Sequence, residues 1–247
     1  MKNKENWQPS KYVRVNGKLR ASRNPKEVGV GSQLMADIIA AHFDTYIKDH
    51  TRGKLLDLGC GKVPLYETYK NYITENICVD WDISYHQNFY TDFNCDLNDP
   101  LPFSDNEFET ILLSDVLSHI YNPEKLLREA KRVLTSGGKI LISNPFYYWI
   151  NEEPFDYYRY TEFYFRKIAE ELKLNVILLK PLGGTPEILT DILGKRLIKR
   201  PRVGKYLAKK LQAFTFYFVN HTSLGKKISN TTSKSFPLGY FIILEKQ

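Results

Sequence analysis

The sequence is short of cysteine, of long apolar runs and, in one stretch, of acid. Its 247 residues hold three cysteines, Cys60, Cys78 and Cys95, which make no metal-ligand spacing and leave an odd thiol. That usage predicts a reducing, cytoplasmic setting and no metal site. No apolar run approaches the roughly 18 residues that a membrane span needs. Met1 to Ser10 is too polar to read as a secretory leader. The length suits one domain with additions, large enough for a sizeable core. Acid is scarce where base is dense: eight of the 35 Lys and Arg lie between Lys195 and Lys210, with no Asp or Glu among them. That stretch accounts for the net charge of +7 and leaves the remainder near neutral, which argues against a broad nucleic-acid surface.

A complete phosphate cradle is missing as well. Leu55-Leu56-Asp57-Leu58-Gly59-Cys60-Gly61 reads as a buried parallel strand that breaks at a tight turn, where absent β-carbons let a ligand approach backbone. A dinucleotide fingerprint would place a third glycine at position 64, and Pro64 stands there. A P-loop would place Ser or Thr after Gly61-Lys62, and Val63 stands there. Asn76-Ile77-Cys78-Val79-Asp80 then ends a second strand in an acid, at a distance that suits the two hydroxyls of a ribose. A ribose grip without a phosphate grip points to S-adenosylmethionine.

Along the chain, residues 1–30 read as an irregular N-terminal arm. Ser32 is placed to cap a helix carrying Leu34, Met35, Ile38, Ile39, Phe43, Tyr46 and Ile47 at helical spacing. Strands follow near 54–60 and 76–80. Between them Pro64 suits the first turn of a helix and predicts an extended Val63. Further strands are expected near 90–95, 110–113, 139–143, 175–179 and 240–244. Helices are expected from Asn122-Pro123, stopped by Gly137-Gly138, and over 161–172. The alternation predicts an α/β, Rossmann-like doubly wound fold with a mostly parallel seven-stranded sheet. The core would cover 31–184. A helical, basic and aromatic insert would cover 185–235, and 236–247 would supply the last strand.

Several pieces arrive in an order that resembles class I S-adenosylmethionine-dependent methyltransferases. These are Asp57-Leu58-Gly59-Cys60-Gly61, Asp80, Leu101 to Phe108, Val116-Leu117-Ser118-His119 and Arg132 to Gly138. Pro145-Phe146 with Pro154 to Thr161 further resembles a bacterial subgroup associated with surface-polysaccharide biosynthesis. The resemblance implies that Asp57, Gly59, Cys60 and Gly61 face the methionine part of the cofactor. It implies Asp80 for the ribose, Asp96 with Leu97 for the adenine, and Trp81 and Ser114 nearby. Three positions depart from the pattern: Val63 replaces a small residue, Ser118 an acid and Asn151 a histidine.

On the acceptor side, the loop after the fifth strand carries Asn144, Tyr147, Tyr157 and Arg159, a polar-tipped aromatic set suited to a sugar. His119 and Asp156 are the candidate bases. Asn144-Pro145-Phe146-Tyr147 resembles a base-methylation motif, but that motif follows the fourth strand rather than the fifth. The leading expectation is methyl transfer to a hydroxyl of a saccharide or related small molecule, the acceptor being lipid-linked in one version. The alternatives are an RNA methyltransferase using the basic insert and a degenerate cofactor-binding protein that regulates or scaffolds. Val203, Leu207, Leu211 and Phe214 fall on one helical stripe with Lys205 and Lys209 away from it. That stripe suits either contact with an anionic membrane or packing on the domain.

Overall fold

In the computed structural model, which describes residues 1–82 and 89–247, the chain opens with a hairpin rather than an irregular arm. Tyr12–Val15 (β1) pairs antiparallel with Lys18–Ala21 (β2). The two-residue turn, Asn16-Gly17, has φ of 50° and 76°. Such hairpins require two left-handed residues, and Asn-Gly supplies them at little cost. The hairpin lies on the helix Gln33–His50 (α1), where Asp37 and Asp44 accept the backbone N–H groups of Ala21 and Leu19. Ser32 does not cap that helix through its side chain; its hydroxyl lies 2.9 Å from that of Tyr148.

The alternating region follows as Gly53–Leu58 (β3), a single turn at Tyr66–Tyr69 (α2), Ile73–Asp80 (β4) and Phe93–Asn94 (β5). Then come Phe108–Ser114 (β6), Pro123–Val133 (α3), Leu134–Pro145 (β7), Glu162–Glu171 (α4) and Leu174–Leu182 (β8). Helices Thr185–Leu197 (α5), Gly204–His221 (α6) and Ser223–Thr232 (α7) precede the last strand, Gly239–Lys246 (β9). The glycine pair does not stop α3. The helix ends at Val133 because Leu134 turns extended and pairs with Phe108, and both glycines lie inside β7. Gly138 has a local reason there: a β-carbon would come within 2.8 Å of the Leu134 side chain.

The seven strands order as β5-β4-β3-β6-β7-β9-β8, all parallel except β9, which runs antiparallel between β7 and β8. Alternation sorts the side chains to two faces. Leu56, Leu58, Ile111, Leu113, Ile140 and Ile142 pack with α3 and α4, whereas Leu55, Leu112, Leu141 and Ile243 pack with α1 and the hairpin. From β3 the chain builds outward to β4 and β5, then returns to set β6 on the other flank. Ligands gather at such a switch point, beyond the carboxyl ends of the strands.

Candidate active site

The turn after β3 sits at that switch point. Gly59 and Gly61 have φ of 70° and 50°. A β-carbon on Gly59 would come within 2.6 Å of Val116, so glycine is required on both counts. Val63 is left-handed, with φ 50°, and not extended. Proline disfavours the right-handed helical region in its predecessor. The left-handed turn lets Val63 N–H donate to the Cys60 carbonyl at 2.8 Å and its own carbonyl accept from Trp7 Nε1 at 3.1 Å. A β-branched residue held this way costs roughly 1–3 kcal/mol, which complete burial of the side chain helps to offset.

Two acids flank the turn. Asp80, ending β4, accepts Gly61 N–H at 2.6 Å through one oxygen and Trp81 N–H at 2.7 Å through the other. This fixes the carboxylate against the glycine backbone. Asp57, in β3, is buried with the Tyr69 hydroxyl 3.3 Å away. Burial pushes it up to about 7; Tyr69 opposes the shift and Asp80 adds to it. Cys60 turns its sulfur inward toward Thr91, leaving its backbone to the turn. Trp81 meets Phe155 edge-on, centroids 4.9 Å apart. Asp96 accepts the backbone and side-chain N–H groups of Asn98, and Leu97 packs into the core. Ser114 ends β6 with its hydroxyl 3.3 Å from that of Ser143.

Among the residues expected to face an acceptor, His119 closes a short turn after β6, and its Nδ1 lies 2.7 Å from the Phe155 carbonyl. A carbonyl only accepts, so Nδ1 carries a hydrogen, which in the neutral ring leaves the lone pair on Nε2. Asp156 is different, and as a candidate base it is corrected. Its two oxygens take Arg159 at 2.5 and 2.7 Å, and Asn151 N–H donates to one of them at 2.8 Å. Burial pushes Asp156 up, but those N–H groups outweigh it and hold the carboxyl below its usual range. Arg159 also donates to the carbonyls of Trp149 and Tyr158, so it clamps the loop instead of reaching for substrate.

Tyr157 donates its backbone N–H to the Ser118 carbonyl at 2.8 Å and exposes its ring. Tyr147 is also exposed, edge-on to Phe146. Asn144 is buried at the end of β7; its amide nitrogen donates to the Pro145 carbonyl, and its Oδ1 has no partner among the described residues.

The strand ends also gather residues that the motif reading misses. Lys11 of the N-terminal segment pairs with Asp115 at 2.8 Å, and Asp115, at φ 61°, accepts Ser143 Oγ at 2.9 Å. Burial works against the Lys11 charge, but Asp115 outweighs it and raises the lysine above its usual value. Lys195 of α5 is buried 2.6 Å from Asp191 and 3.4 Å from the Tyr148 ring centroid. Burial brings it down to about 8 despite the carboxylate. Asp115 is legible as the residue following a strand end; Lys11 and Lys195 carry no local signal.

Residues 56–142 match a family model described as "Methyltransferase domain". S-adenosylmethionine is the cofactor that family implies. One uncharacterized protein of Methanocaldococcus jannaschii is 55% identical over 42 residues, 17% of this chain and 20% of that protein. Another from the same organism is 31% identical over 88 residues, 36% of this chain and 39% of that protein. The chain therefore spans well under two thirds of these curated relatives. Among solved structures, a SAM-dependent methyltransferase from Archaeoglobus fulgidus superposes with a TM-score of 0.56 at 16% identity, covering 85% of this chain and 93% of that one. The [4+2]-cyclase SpnF gives 0.53 at 15% identity, covering 85% and 82%. These similarities define the fold.

Proposed function

We propose that the protein transfers a methyl group from S-adenosylmethionine to a hydroxyl of a saccharide, in the manner of the surface-polysaccharide subgroup its loop resembles. The observation that carries this reading is the pair of buried acids, Asp57 and Asp80, on either side of a glycine turn at the switch point. An acid as costly to bury as Asp57 suits a cationic ligand group, here the ammonium of the methionine part. Asp80 suits the ribose, and Asp96 with Leu97 suits the adenine. The cofactor supplies a methyl already activated by its sulfonium. The protein's part is to hold the acceptor in line and exclude water. His119 Nε2 takes the acceptor's proton, its ring fixed by Phe155. The unpartnered Asn144 Oδ1 suits an acceptor hydroxyl as donor, and the exposed Tyr147 and Tyr157 rings suit the faces of a sugar.

The test is incubation with methyl-labelled cofactor and separate fractions of saccharides, lipid-linked saccharides and RNA. Label in a saccharide fraction is expected; label confined to RNA overturns the reading. His119→Gln should lower turnover by about 100-fold or more while leaving cofactor affinity unchanged. An undiminished rate removes His119 from the reaction.

A further inference from the structure

The helices α5, α6 and α7 present a surface that the proposed chemistry does not use. Of the two acids in 185–235, Glu187 and Asp191, both are buried. The same segment exposes ten Lys and Arg. Its outer face is thus cationic without any compensating acid.

Of the apolar stripe of α6, Val203, Leu207 and Phe214 are exposed and Leu211 is half-buried. The buried positions are instead Gly204, Ala208, Gln212, Thr215 and Val219, all small or polar except the valine. They form the seam with α5: the Thr190 and Thr215 hydroxyls lie 2.6 Å apart, and a β-carbon on Gly204 would collide with the Leu197 carbonyl. The pairs run in opposite sequence directions, so the two helices are antiparallel. Leu189 and Leu193 each precede a seam-side residue of α5 by one position, as Leu207 and Phe214 do on α6. In an antiparallel pair, that one-residue step turns both helices toward the same side. All four are exposed, Phe214 by 66% and Leu193 by 51%. Arg196, Lys199 and Lys210 are exposed on these two helices or immediately after α5.

We infer that this face of the α5–α6 pair docks on an anionic lipid bilayer, holding the protein at a membrane surface. Leucine and phenylalanine gain by entering the headgroup boundary while lysine and arginine meet lipid phosphate. Nucleic acid would match the charge but offers exposed aliphatic side chains little. A second copy would bring two all-cationic faces together. Among the described residues no helix is long and apolar enough to cross a membrane, so the contact is peripheral. The inference does not depend on the acceptor: a membrane-docked enzyme can act on many substrates.

The experiment is co-sedimentation of the full chain with neutral vesicles and with vesicles containing anionic lipid, alongside RNA binding and sedimentation velocity over a range of protein concentrations. Binding to anionic vesicles only, weakened by salt, is expected. Replacing Arg196, Lys199 and Lys210 by Gln should weaken it by roughly fivefold per charge. Leu193→Ser with Phe214→Ser should abolish it at a salt concentration where wild type still binds. Circular dichroism confirms that each variant is folded. Absence of vesicle binding by folded wild type, salt-sensitive binding to RNA instead, or self-association lost in the Leu193/Phe214 variant would each overturn the inference.

Discussion

Asp57 is an acid kept where its charge is penalised. With a folded value of about 7 against an ordinary 3.8, the native state binds more protons than the unfolded chain between those limits. Stability therefore falls as pH rises through that window and levels off above 7. Raising a carboxyl group that far corresponds to about 4 kcal/mol. Asp57→Asn should raise the melting temperature above pH 7 and flatten the fall between pH 4 and 7, while weakening cofactor binding. In wild type, cofactor affinity should increase up to pH 7 as the carboxylate forms. Thermal melts and calorimetry across that range read both effects; an unchanged pH slope in Asp57→Asn contradicts the burial argument. The placement of Asp57, Gly59 and Asp80 at strand ends and a turn was legible, because strand-end acids and glycine turns are local in sequence. The role of Asp156 was not, because an acid available as a base and one saturated by Arg159 are written with the same letter.

At the level of secondary structure, the loop between β7 and α4 is held by one buried ion pair and by its backbone contacts with the turn after β6. Arg159→Ala leaves Asp156 buried without its partner, a loss of about 3–5 kcal/mol for a buried pair, less here because Arg159 is partly exposed. The melting temperature and acceptor turnover should drop together, with cofactor affinity little changed. Adding Asp156→Asn should recover part of the stability by removing the stranded charge. A single Arg159→Ala variant that melts like wild type would mean that the clamp is not what orders this loop. The regular strands and α3 were readable from apolar periodicity. The hairpin was readable in principle from Asn16-Gly17. The end of α3 was not, since the pairing of Leu134 with Phe108 is a contact between distant segments that local glycine signals cannot reveal.

Across the molecule, the sheet brings Asp57, Asp80, Ser114 and Asn144 to the carboxyl ends of four neighbouring strands. The N-terminal segment closes onto the same end through Trp7, Lys11 and the Glu27–Lys62 pair. Sequence says least about α6, because an apolar stripe gives the same pattern whether it is buried or exposed. The small seam residues leave Leu207 and Phe214 outside. The proposed chemistry stands or falls on whether this end of the sheet binds S-adenosylmethionine. The sharpest test is isothermal titration of that cofactor into wild type and Asp80→Ala, each checked for folding by its melting temperature. Saturable binding to wild type is expected, with a loss of about 10-fold to 150-fold in Asp80→Ala, the range for a hydrogen bond to a charged group. No binding by folded wild type, or equal affinity in the folded variant, would contradict it.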